Sequence, residues 1–319
     1  ADKMVRRLEK VQEKEEMSRQ LYESLRSAVN GQVKENEPLK CHTTFRAGGP
    51  ARYFVEPGNE KELAAVIQAC RQADVPWFVL GNGSNLLVSD QGFPGTVIRI
   101  GKGFSAISRE ENQIQAGAGL LLSQIARRAW EEGLSGLEFA AGIPGSLGGA
   151  VVMNAGAYGF EMKDVLAKVR VLTPEGECVW IPAEELKFGY RTSCILQQKY
   201  VVLGAVFSLH PGERAKIRAR MDELAALRRQ KQPLEFPSAG STFKRPEGYF
   251  AGKLIQDAGL RGFRIGDAQI SEKHCGFVIN RGEATAAEIM EVCRRVSDEV
   301  YRQFGVRLEL ELKTLGECE

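Results

Sequence analysis

Residues 77–86 read Trp-Phe-Val-Leu-Gly-Asn-Gly-Ser-Asn-Leu. The apolar run Trp77–Leu80 has the length and character of a buried strand, and it runs straight into Gly81-Asn82-Gly83-Ser84-Asn85. Glycines after a strand let the main chain approach an anion closely, and backbone amides with the Ser84 and Asn85 side chains supply donors. Gly83 is expected to leave the space that a pyrophosphate needs. The loop is not a Rossmann fingerprint, because Leu86 stands where the third glycine belongs and no helix follows. A second cluster reads Gly142-Ile143-Pro144-Gly145-Ser146-Leu147-Gly148-Gly149-Ala150, then Asn154-Ala155-Gly156-Ala157-Tyr158-Gly159. Eight glycines fall between Gly133 and Gly159, too many for ordinary turns. Either cluster alone is equally consistent with tightly packed turns. Both in one stretch favour a bound dinucleotide.

Outward from these loops the pattern alternates. Arg52–Val55 is a short strand, and Asn59 caps a helix with Leu63, Val66, Ile67 and Cys70 on one face. Leu86–Val88, Thr96–Ile100 and Gln113–Ala116 read as strands, and Leu121–Glu132 reads as a helix. The sequence Gly101-Lys102-Gly103 is followed by polar Ser108–Asn112 and reads as a turn. Strands return at Val165–Leu172, Cys178–Ile181 and Tyr200–Leu209. Before all this, residues 2–29 carry thirteen charges, with Val5, Leu8, Val11, Leu21, Leu25 and Val29 at helical steps. They form an amphipathic N-terminal arm, followed by a polar linker over 30–40. Beyond Gly212 come a charged helix, Arg214–Gln230, a strand at Phe277–Ile279, a helix at Thr285–Phe304 and a closing strand at Val306–Leu312. The division expected is an arm (1–30), a cofactor domain of two subdomains (31–212) and a smaller C-terminal α/β domain (213–319).

The 319 residues suffice for that many units, and 43% hydrophobic with 26% charged residues describe a globular chain. A net charge of +2 gives no reason to expect nucleic-acid binding. No apolar run is long enough for a membrane span, and the charged N-terminus does not read as a secretory signal. Seven scattered cysteines without a Cys-x-x-Cys pair read as reduced thiols in a cytoplasmic protein. With three scattered histidines, no metal site is expected.

The glycine loops, with Gly117-Ala118-Gly119, resemble the flavin-binding domain of the vanillyl-alcohol oxidase and p-cresol methylhydroxylase fold. Further motifs narrow the match: Thr43–Ala51, Gly189-Tyr190-Arg191-Thr192-Ser193, Ser238–Lys244 and Gly259-Leu260-Arg261-Gly262. Together they resemble the UDP-N-acetylenolpyruvoylglucosamine reductase family over residues 40–315. That resemblance implies an α+β fold, with a two-part FAD-binding domain and a smaller substrate domain. It implies non-covalent FAD, NADPH as co-substrate and UDP-N-acetylglucosamine enolpyruvate as substrate, reduced for peptidoglycan precursor synthesis. It carries no implication of nucleic-acid binding, and a monomer is the expected state. Cofactor contacts implied are Gly81, Asn82, Gly83, Ser84, Asn85, Leu86, Gly142, Ile143, Pro144, Ser146, Gly149 and Ala150.

The same resemblance assigns catalysis to Ser241, Arg191 and Glu311. Ser241 matches the family's proton donor. Arg191 presents a planar, always-charged fork suited to a carboxylate. In Leu308–Lys313 the alternation puts Glu309 and Glu311 on one face, and periodicity alone does not choose between them; the family motif selects Glu311. Tyr190, Lys231, Lys244, Arg245, Lys253 and Lys313 are the expected substrate contacts. Ten Lys or Arg against five Asp or Glu over 213–253 fit a diphosphate. His274 is read as structural. Some members carry a tyrosine-bearing loop after the arginine motif, but here Arg191 is followed within ten residues by the strand starting at Tyr200, so the chain resembles the shorter class.

Overall fold

The computed structural model describes residues 16–318. Residues 16–28 are helical, and Leu21, Leu25 and Val29 bury in the main core with Tyr53 and Val66. The earlier apolar positions of the expected arm, Val5, Leu8 and Val11, lie outside the described residues.

A first sheet orders Val33–Pro38, Pro50–Val55, Phe93–Arg99 and Trp77–Leu80, the first pair antiparallel and the rest parallel. The expected linker over 30–40 is therefore mostly an edge strand. Glu35, Asn36 and Glu37 show why it reads as linker: an outer strand keeps polar residues in water, which also protects its unpaired edge. Helix Glu60–Gln72 begins as expected, with the Asn59 side chain accepting from Glu62 N at 3.0 Å.

A second sheet is antiparallel throughout, in the order Cys178–Pro182, Leu166–Leu172, Val201–Ser208, Gln113–Gly117 and Ile107–Glu110. The Gly101 segment is a turn as expected, with a single 3-10 turn at Lys102–Phe104, and the outermost strand follows it into the polar run, because an edge tolerates polar side chains. The charged helix Arg214–Lys231 sends Leu224 into this half's core, with Met221 and Leu227 packed against it. A boundary at 212/213 groups that helix with the C-terminal unit, while its apolar residues Met221, Leu224 and Leu227 pack on the N-terminal half.

The C-terminal unit is a small antiparallel sheet, Arg264–Ile265, Ala268–Ile270 and Val278–Asn280, covered by helix Ala286–Phe304. Ile289, Val292, Cys293, Val296 and Val300 face the sheet, in one cluster with Phe45 and Leu87 from the N-terminal half. The helix start is capped twice. Thr285 and Glu288 form a capping box, and Asp90 accepts from Ala286 N and Ala287 N at 2.8 and 2.9 Å.

The closing strand is not where alternation places it. Residues 306–312 are irregular apart from one bridge between Leu310 and Phe243. The strand is Lys313–Leu315, parallel to Leu86–Val88 directly after the glycine loop. The alternating residues bond instead to the 242–244 segment: Lys244 N donates to Glu309 O, and Glu311 N donates to Thr242 O, both at 2.8 Å.

Buried Asn280 joins the two halves. Its Nδ2 donates to Phe45 O at 3.0 Å, while Oδ1 accepts from Gly282 N and Ala284 N at 2.9 and 3.0 Å. Asn280→Ala leaves three backbone groups without their partner, two of them on buried residues, Phe45 and Ala284, so urea unfolding is expected to show a loss of about 2 kcal/mol. A loss below about 0.5 kcal/mol contradicts this role. All described cysteines are free, and burial pushes the Cys293 thiol up to about 12. Among the described residues no helix is long and apolar enough to cross a membrane, and no cluster of His, Cys, Asp or Glu is arranged to hold a metal.

Candidate active site

The two glycine clusters face each other. A Cβ built on Gly81 would lie 2.3 Å from Ser146 Oγ and 4.0 Å from Gly149 N. Asn82 Nδ2 donates to Pro144 O, and a Cβ on Gly145 would come within 3.6 Å of Ser84 Oγ. Ser146 is buried, and its hydroxyl finds no hydrogen-bond partner among the described residues. An unpaired hydroxyl between two glycine-lined loops is a donor set that fits a dinucleotide pyrophosphate. Ile143 packs on the main core, and Ala150 lies within it, on the short helix Leu147–Val152.

Gly83 is also required by the fold itself. Its φ is +61°, and a Cβ there would lie 2.3 Å from His42 O and 2.9 Å from Thr43 Cα. The close approach is to the chain's own backbone at His42 and Thr43. Gly83→Val is expected to distort the whole nest and yield protein purified without flavin. A yellow variant with wild-type flavin content contradicts this. The His42 ring stacks on Phe54 and pairs with Glu37 at 2.8 Å.

The turn Gly189–Thr192 closes with hydrogen bonds of 3.0 and 3.3 Å between its end residues, and Arg191 takes φ +53°. Buried Asn154 holds it in place, donating to Gly189 O at 3.0 Å, while Ser193 Oγ donates to Val152 O at 2.8 Å. So the second glycine cluster positions the arginine turn. Arg191 Nε donates to Glu311 Oε1 at 2.7 Å, with the two side chains only 22% and 13% exposed. Tyr190 OH donates to Glu311 Oε2 at 3.4 Å and accepts from Arg245 N at 3.1 Å. The two glutamates have different settings: Glu309 turns to solvent and pairs with Lys244 at 3.0 Å.

Ser241 is exposed, between Gly240 at φ +72° and a fully engaged Thr242. Thr242 N donates to Gly276 O at 2.9 Å, its Oγ1 accepts from Val278 N at 2.9 Å, and its carbonyl accepts from Glu311 N. Nothing in the sequence spacing marked Thr242 as the hub that ties the serine turn to the glutamate. Asn85 completes the link: its carbonyl accepts from Lys313 N at 2.9 Å, and its Nδ2 donates to Glu311 O at 3.3 Å. Ser241, Arg191, Glu311, Tyr190 and the first glycine loop therefore share one hydrogen-bonded neighbourhood. Lys244 and Arg245 continue from it. Lys231 ends its helix beside His274, whose Nδ1 accepts from Gly276 N at 3.0 Å and whose pKa is lowered by burial. Lys313 is exposed, and Lys253 pairs with Asp257 within its own helix at 2.8 Å.

Comparison with known proteins identifies the family. Residues 51–182 match the FAD binding domain family, and residues 232–315 match the UDP-N-acetylenolpyruvoylglucosamine reductase C-terminal domain. The chain is 54% identical over 295 residues to the UDP-N-acetylenolpyruvoylglucosamine reductase of Agathobacter rectalis, covering 89% of this chain and 94% of that protein. It is 47% identical over 285 residues to that of Clostridioides difficile, covering 89% and 94%. The crystal structure of the reductase from Thermus caldophilus superposes with a TM-score of 0.77 at 39% identity, covering 89% of this chain and 98% of that one. On these grounds the chain belongs to the UDP-N-acetylenolpyruvoylglucosamine reductase family.

Proposed function

We propose that the protein reduces the enolpyruvyl double bond of UDP-N-acetylglucosamine enolpyruvate to give UDP-N-acetylmuramate, with FAD as cofactor and NADPH as hydride source. The step belongs to peptidoglycan precursor synthesis, and its nucleotide substrates place it in the cytoplasm. The observation that carries the reading is the Arg191–Glu311 pair held beside the Ser241 turn, on a segment that pairs with the strand leaving the glycine loop. The glycine loops fit FAD through Gly81, Ser84, Asn85, Ser146 and Gly149. Bound there, FAD would supply the hydride chemistry between NADPH and the substrate.

The chain's residues do the rest. The double bond is conjugated with a carboxylate, so hydride adds at the terminal carbon and negative charge develops on the carboxylate-bearing carbon and its oxygens. Arg191 binds that carboxylate through the donors not used by Glu311 and stabilises the growing charge. Glu311, fixed by Asn85 and Thr242, and Tyr190 orient the guanidinium. Ser241 delivers the proton to the ether-bearing carbon. Lys231, Lys244 and Arg245 hold the sugar nucleotide.

The test is NADPH consumption by the purified yellow protein. The reading expects oxidation that depends on the enolpyruvyl sugar nucleotide and matches product formation one to one. Oxidation unaffected by that compound, or peroxide released on feeding a hydroxy acid, contradicts it.

A further inference from the structure

The helix Arg214–Lys231 carries a cation that the chemistry above does not use. Lys216, Arg218 and Arg220 are balanced by Glu213, Asp222 and Glu223 at 2.7, 3.0 and 2.6 Å. Arg228 differs. It is half-buried, its Nε donates to Gln232 Oε1 at 2.9 Å, and no carboxylate among the described residues pairs with its guanidinium. Burial pulls its pKa below the usual arginine range.

The side chain has a seat made for it. It lies against Gly142, where a Cβ would come 3.2 Å from Nη1 and 3.3 Å from Cδ. Gly142 opens the second glycine cluster, and Lys231 follows three residues after Arg228, on the same side of the helix. Tyr158 OH donates to Leu224 O at 3.2 Å and fastens this stretch of helix to the glycine-rich segment. A guanidinium drawn partly out of water without an anion is unfavourable unless a ligand supplies the charge. Its planar fork matches phosphate oxygens two at a time.

We propose that Arg228 is a phosphate-binding residue of the nucleotide cleft, seated by Gly142 and acting beside Lys231. The inference rests on the proposed function only in that the cleft takes nucleotides. FAD, NADPH and the UDP-sugar all carry a diphosphate, and the experiment separates them. Arg228→Gln and Arg228→Lys are compared with wild type for flavin content, for NADPH affinity from the concentration dependence of flavin bleaching, and for UDP-sugar affinity from reoxidation.

Arg228→Gln is expected to weaken at least one of these by about 10- to 100-fold, with Arg228→Lys recovering part of it. Loss of flavin assigns the phosphate to FAD, weaker NADPH alone to the co-substrate, and parallel weakening of both substrates to a shared diphosphate position. Gly142→Ala crowds the seat and is expected to repeat the pattern more weakly, which guards against a misfolded variant. All three affinities within about twofold of wild type overturn the proposal. So does a shifted flavin potential with unchanged affinities, since the cation then serves the ring. Wild-type protein that binds FAD and UDP but never oxidises NADPH would instead overturn the functional reading and leave this inference standing.

Discussion

Ser241→Ala protein mixed anaerobically with NADPH is expected to lose its flavin colour at nearly the wild-type rate, then to regain it slowly when the enolpyruvyl sugar nucleotide is added. The slowing is expected to be about 10²- to 10⁴-fold, the range of a lost general acid. The asymmetry follows from where the serine sits. Its neighbours Gly240 and Thr242 fix the turn through backbone groups and the Thr242 hydroxyl, so the substitution removes a hydroxyl and leaves the turn intact. A proton is required only after hydride reaches the substrate. Equal slowing of both half-reactions contradicts the assignment and makes Ser241 a binding residue.

The second large effect concerns Arg191 and Glu311 together. Each single variant, Arg191→Ala and Glu311→Gln, is expected to slow flavin reoxidation by the substrate about 10²- to 10³-fold. The double variant is expected to be no worse than about either single one, because the two groups act as a unit. The basis is their 2.7 Å contact and low exposure, with one glutamate oxygen on Arg191 and the other on Tyr190. Arg191→Lys is expected to recover little, since a point charge cannot hold Glu311 and the substrate carboxylate at once. Additive losses in the double variant would show that the glutamate acts on the substrate independently of the arginine.

Much of this site was legible in the residues. The glycine loops announced themselves because close backbone approach leaves glycine little alternative, and the strand before Gly81 and the cap at Asn59 follow simple rules. Choosing Glu311 over Glu309 needed the family motif, because strict alternation treats the two alike; only the hydrogen bonds to the 242–244 segment turn one inward and one out. The edge strand Val33–Pro38 was hidden by its solvent-facing side chains, and the true closing strand by irregular backbone just before it. The helix Arg214–Lys231 shows a further limit. Its apolar stripe says that it packs, but not on which half. Its charge pattern gives several cations, and no spacing rule says that Arg228 is the one drawn from water against a glycine.

The proposed reduction requires that a flavin between the glycine loops meet the unsaturated ether at Ser241, Arg191 and Glu311. The most direct test starts from purified wild-type protein bleached with one equivalent of NADPH under argon. Adding one equivalent of UDP-N-acetylglucosamine enolpyruvate is predicted to restore the full flavin absorbance and to yield one equivalent of UDP-N-acetylmuramate. A solution that stays bleached until air is admitted would contradict it.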